Sequence, residues 1–187
     1  MRPFFRMMSL PRRYGKAAVL ALAAALAPAA AADIGSERGI KAAFVSKFIG
    51  YVDFSGHAAP APLVIGVVGA DDIARELARI VGARGINARP VGVRTLGPGD
   101  HLDAVHVLFV GLGESERAER LLRAAAAEGI LTITEFDHAL RHGSVINLRI
   151  VDQRVRFEVS LAAAEKAGLK LSSRLLSVAH YVDKGER

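Results

Sequence analysis

"LVIGVVGADDIARELARIV", Leu63–Val81, is the stretch on which the fold turns. Leu63–Val68 is an unbroken apolar run closed by Gly69, and Asp71 and Asp72 follow directly. A strand that faces water on one side alternates apolar and polar residues; one covered on both faces is apolar throughout. The apolar positions of "IARELARIV" then recur at helical spacing, with Gly82 at the end. A buried strand that feeds a helix opens a β-α-β unit.

The same grammar continues downstream. "NARPVGVRTL" (87–96) predicts a second, less buried strand and "AVHVLFVG" (104–111) a third. "ESERAERLLRAAAAEG" (114–129) predicts a helix stopped by Gly129, and "ILTITE" (130–135) a fourth strand. In "GSVINLRIVDQRVRFEVSL" (143–161) the pattern changes to alternation on both sides of Asp152-Gln153, the signature of a β-hairpin. Upstream, "SERGIKAAFVSKFIGYVDF" (36–54) predicts an amphipathic helix of about four turns, capped by Ser36, with Ile40, Phe44, Phe48 and Tyr51 on its apolar face. A loop with Gly56, Pro60 and Pro62 follows it. "AAAEKAG" and "LKLSSRLLSVAHYVD" are expected to finish the chain as helix. The expected fold class is therefore α/β: a single-domain, three-layer-like sandwich, with a mostly parallel sheet flanked by helices and a C-terminal β-hairpin.

Residues 1–32 read as a signal peptide. Arg2, Arg6, Arg12, Arg13 and Lys16 precede an apolar stretch, Ala17–Ala27, and small residues follow it. The stretch is too short for a membrane-spanning helix, which needs about 20 residues. Arg12-Arg13 followed by Tyr14-Gly15-Lys16 resembles a twin-arginine signal and leaves the export route open. The expectation is a periplasmic chain of one domain, 33–187. Of the 25 lysines and arginines, five lie in the leader, and none of the 19 acidic residues does. The remaining 20 against 19 give a net charge of +1, so the high pI belongs to the leader and nothing suggests a nucleic-acid partner. Cysteine is absent, which excludes disulfides and thiol redox control.

"IKAAFVSKFIGYVDF", "LVIGVVGAD", "VHVLFVG", "ILTITE" and "VRFEVSLAAAEKAGLKLSSRLLSVA" together resemble the YfiR-like family of exported bacterial proteins, in the family's order and over nearly the whole of 33–187. The resemblance implies a non-enzymatic periplasmic regulator. It would bind the periplasmic sensor part of an inner-membrane signalling protein, a diguanylate cyclase or a sensor kinase, and in the cyclase case lower cyclic di-GMP and biofilm formation. The sequence departs from the family pattern in having no cysteine pair, Phe54 in place of a common Trp, and Ser160 in place of a common Asn.

Residue chemistry narrows the candidate sites. Ser172-Ser173 suits a helix start, where serine satisfies free backbone amides. No G-x-S-x-G elbow or base accompanies it, so no catalytic residue is assigned. Lys170, Arg174, His180 and Tyr181 are the candidate partner-binding residues on the expected last helix. Arg149, Arg154 and Arg156 alternate outward on the hairpin and suit solvent or an acidic partner. His138 and His142, four apart, lack a third ligand, and no metal is assigned. The helix starts at Asp71, Asp72, Glu114 and Glu116 suit the helix dipole but would repel phosphate, and no cofactor is expected. The alternative function is periplasmic binding of a small neutral or cationic molecule near Gly69, Gly111 and Gly113 for a sensor or uptake system. The default oligomer is a C2 homodimer.

Overall fold

The computed structural model describes residues 29–54, 62–82, 85–86, 89–97 and 99–185. Most of the expected leader and most of the 56–62 loop lie outside the described residues. The chain divides into two units at Gly35–Ser36. The second carries the sheet.

In chain order, helix α1 (Ala29–Phe48) and a short 3-10 turn lead to β1 (Val52–Asp53). Then come β2 (Leu63–Val68), α2 (Asp71–Val81), β3 (Val91–Thr95), β4 (Val107–Val110), α3 (Ala118–Ala127) and β5 (Leu131–Thr134). The chain ends with β6 (Ile146–Val151), β7 (Arg154–Ser160), α4 (Leu161–Lys166), β8 (Lys170–Leu171), α5 (Ser173–Ser177) and β9 (Tyr181–Asp183). Seven strands form one sheet in the order β3-β2-β4-β5-β6-β7-β9. The first five in that order run parallel; β7 is antiparallel to β6, and β9 is parallel to β7.

Strand β2 is apolar throughout because both its faces are covered. Leu63, Ile65 and Val67 join a core with α1 and α2, while Val68 joins the second core, with α3. Helix α2 buries Ile73, Ala74, Leu77 and Val81, one face of its 3.6-residue period, and α3 buries Ala118, Leu122 and Ala125. Asp71 and Asp72 in the first turn of α2 complement its dipole.

The hairpin forms as its alternation predicts. Asp152 and Gln153 both have positive φ, 48° and 58°, the backbone of a two-residue turn that matches strand twist. Ile146, Leu148, Phe157 and Val159 face the α1 core. Phe157 meets Phe48 edge-on at 4.9 Å and Phe44 at 5.9 Å.

Three expectations are corrected. The first helix spans Ala29–Phe48, so Ser36 lies within it and not at its start. Its buried face is Ala42, Val45 and Phe48, continued by Ile49 in the 3-10 turn, with Phe44 half-buried; Ile40 is 44 % exposed, and Tyr51 is exposed beyond the helix end. The end of the chain is the third: α5 spans only five residues between β8 and β9. Ser172 does cap it, its Oγ accepting the Leu175 N–H at 3.3 Å. But Val178 is 69 % exposed, and the chain then extends because Tyr181–Asp183 completes the sheet beside β7.

Candidate partner-binding surface

Lys170, Arg174, His180 and Tyr181 are all exposed, but no single helix carries them. Lys170 is in β8, opposite Asp53 of β1 in an antiparallel pair. It lines a shallow cleft of about 270 Å³ with Tyr51, Asp53 and Leu171, and the other three candidates do not line that cleft. Arg174 is on α5. His180 precedes β9, its backbone N–H donating to the Phe157 carbonyl at 2.8 Å. Tyr181 opens β9.

The register of the sheet places Tyr181 in different company. Tyr181 pairs with Glu158, and Glu158 with Asn147, across β9, β7 and β6. Paired residues project to the same face of a sheet, and residues two apart on a strand share that face. Arg149 and Arg156 form the next row, and Arg154 lies beyond them opposite Val151. This face is the reverse of the one that Phe157 and Leu148 present to α1. Arg154, Arg156 and Tyr181 are exposed, Tyr181 by 54 %. Arg149 stands 3.3 Å from Asp137 and 4.0 Å from Glu158. Among the described residues Arg154 and Arg156 form no ion pair.

The row ends in a buried polar knot. Asn147 is fully buried; its Oδ1 and Ser144 Oγ each lie 2.9 Å from Thr134 Oγ1, and Ser144 Oγ donates to the Ile146 carbonyl at 2.8 Å. Asn147 Nδ2 has no hydrogen-bond partner among the described residues.

The other site expected from sequence was the carboxyl edge of the sheet. Strands β3 and β4 lie on opposite sides of β2, so the crevice where an open α/β sheet takes its ligand falls between β2 and β4. Gly69 and Gly111 follow those strands, but their loops touch. A Cβ on Gly111 would sit 2.4 Å from the Gly69 carbonyl oxygen, and one on Gly69 would sit 2.7 Å from Glu114 Cγ. The glycines let two loops pack together. An ion cluster covers the same edge. Lys41 of α1 reaches Glu135 at 2.8 Å and Glu37 at 2.6 Å, the Leu112 N–H points at Glu135, and Arg38 pairs with Asp72. Burial on its own lowers the Lys41 pKa; the hydrogen bonds and charges of Glu135 and Glu37 outweigh it, and the ammonium is held above its ordinary value. Sequence reasoning missed this cluster because Lys41 and Glu135 are 94 residues apart.

His138 and His142 do not share a helical face. His138 is left-handed at φ 61° and precedes a 3-10 turn, Ala139–His142. Among the described residues no group of three or more His, Asp or Glu side chains is placed to hold a metal.

The profile of a family described as YfiR/HmsC-like (DUF4154) matches residues 38–180. This chain belongs to the YfiR/HmsC-like family. The match takes in α1 from its second half, the sheet and α5, and stops at His180, one residue before β9. No curated protein matches. Among solved structures, a conserved domain protein from Vibrio cholerae O1 biovar El Tor is 13 % identical with a TM-score of 0.48, covering 64 % of this chain and 54 % of that one. An ABC domain in complex with L-Trp from Streptococcus pneumoniae is 10 % identical with a TM-score of 0.49, covering 64 % and 55 %. The chain spans about half the length of these structures. Among the described residues no helix is long and apolar enough to cross a membrane.

Proposed function

We propose that this YfiR/HmsC-like chain is an exported, non-enzymatic repressor. It binds the periplasmic sensor part of an inner-membrane diguanylate cyclase through the sheet face that carries Arg149, Arg154, Arg156 and Tyr181. Family membership supports the regulatory class. The observation that carries the surface is the register itself: the hairpin arginines and Tyr181 share one face of β6, β7 and β9. Arginine and tyrosine are the residues that protein interfaces enrich, and aromatic anchors surrounded by polar groups dominate their energetics. Arg154 and Arg156 lack an ion partner within the described chain, which suits an acidic partner.

Cyclic di-GMP measured in cells that lack the gene tests this reading. The deletion raises cyclic di-GMP and biofilm, the wild-type gene restores both, and Arg154→Glu with Arg156→Glu does not, although that variant reaches the periplasm folded. A deletion without effect on cyclic di-GMP contradicts the function. Full complementation by the charge-reversed variant contradicts the surface.

A further inference from the structure

We propose that the groove between residues 99–103 and α3 binds a small organic cation with an apolar body. It has a volume of about 690 Å³, inside the roughly 300–1,000 Å³ range of small-molecule sites. Its apolar surface comes from Val68 at the end of β2, Leu102, and Leu121, Ala124 and Ala127 on one side of α3. Asp100, Asp103, Glu114 and Glu128 line it, with Arg117, Arg120 and His101.

The charges are not equivalent. Glu114 lies 3.8 Å from Arg117 and is partly neutralised. Asp100 Oδ2 accepts the Gly97 N–H at 2.8 Å, which fixes the lip of the groove and leaves the charge in place. Among the described residues Asp100, Asp103 and Glu128 form no ion pair. A wholly apolar ligand would strip water from these carboxylates and give nothing back. An organic anion would meet four carboxylates against two guanidinium groups. An amine on an apolar body satisfies both parts of the groove, because its N–H groups make charge-assisted hydrogen bonds to carboxylate.

This groove and the hairpin arginines lie on the same side of the sheet, that of α3, but none of Arg149, Arg154, Arg156 or Tyr181 lines it. It adjoins the Gly69 and Gly111 contact, where the sequence alone placed a small-molecule site, through Val68 and Glu114, and opens away from it along α3. The inference is independent of the repressor reading and stands or falls separately.

Titration of the ¹⁵N-labelled full chain with three probes of one size tests it: phenethylamine, 2-phenylethanol and 3-phenylpropionate. Phenethylamine shifts the amide resonances of Leu102, Leu121 and Ala124, with an affinity about fivefold or more above that of the uncharged alcohol, as a charge-assisted contact requires. Asp100→Asn with Asp103→Asn removes that preference for the cation while amide dispersion stays native. Leu121→Arg, which fills the groove from α3, abolishes the shifts in a chain of unchanged dispersion. Absence of shifts at millimolar phenethylamine, shifts confined to other surfaces, or equal binding of the alcohol or the acid would overturn the proposal.

Discussion

Lys41 Nζ lies 2.8 Å from Glu135 Oε2, and each side chain is only 13 % exposed. This pair ties α1 to the end of β5 over the carboxyl edge of the sheet. Removing one partner of a buried pair strands the other, whereas removing both does not. Lys41→Met should therefore cost about 2 kcal/mol in urea unfolding, less than the ~3–5 of a fully buried pair. Adding Glu135→Leu should recover part of the loss. Equal stability of wild type and Lys41→Met would show that the pair is screened by solvent.

The contact between the loops after β2 and β4 leaves no room at Gly111, because the obstructing atom is the Gly69 carbonyl oxygen and not a flexible side chain. Gly111→Ala should cost about 2 kcal/mol or more, in the range of overpacked cores. Gly92→Ala is the control, since nothing lies within 4 Å of its added Cβ. It should change stability by less than about 0.5 kcal/mol. Thermal unfolding of the two variants distinguishes them.

Two serines cap helices late in the chain. Ser160 Oγ accepts the Ala163 N–H at 3.3 Å, and Ser172 Oγ accepts that of Leu175 at 3.3 Å. Alanine at either position should cost about 1 kcal/mol. Serine and asparagine are both strong caps, so Ser160 keeps the helix-starting role that the Asn common in relatives can also fill. Loss of repression by Ser172→Ala without loss of stability would give Ser172 a role beyond its cap.

The β6–β7 turn holds Gln153 at φ 58°, where residues with a Cβ are strained. Gln153→Gly should raise stability by about 0.5–1 kcal/mol, because glycine removes the strain of that position. A lower unfolding midpoint would mean that the glutamine side chain makes a compensating contact.

His106 Nδ1 accepts the Val64 N–H at 3.1 Å, which requires the neutral ring. Burial, with Arg89 adding to it, holds its pKa below the ordinary value against an opposing hydrogen bond to Ala104. The folded pKa is depressed, so the unfolded chain binds this proton more readily. The stabilisation is present above the unfolded value near 6.5 and is lost as pH falls from there through the folded pKa. His106→Asn places a non-titrating oxygen near the same N–H. Unfolding midpoints of wild type and variant should diverge as pH drops below about 6.5, the wild type falling faster. Parallel pH profiles would contradict this.

What sequence revealed depended on the range of the interactions. Strand β2 and helix α2 were legible because an unbroken apolar run, two acidic residues and a 3.6-residue period follow one another within 19 positions. The hairpin was legible from local alternation about Asp152. Strand β9 was not: three residues are too few to show a period of two, and they are extended because β7 lies beside them. That error put Tyr181 on a helix with Arg174 rather than in a row with Glu158. The partner face has the same origin, since Arg149, Arg156 and Tyr181 meet only through sheet pairing.

The most direct measurement is photocrosslinking from position 181. A benzophenone amino acid replaces Tyr181 in the full chain expressed in its own cells, and Leu112, 64 % exposed after β4, is the comparison site. The account predicts a crosslink from 181 to the periplasmic part of a membrane diguanylate cyclase and none from 112. Intact repression with no crosslink at 181, or equal crosslinking from both positions, would contradict it.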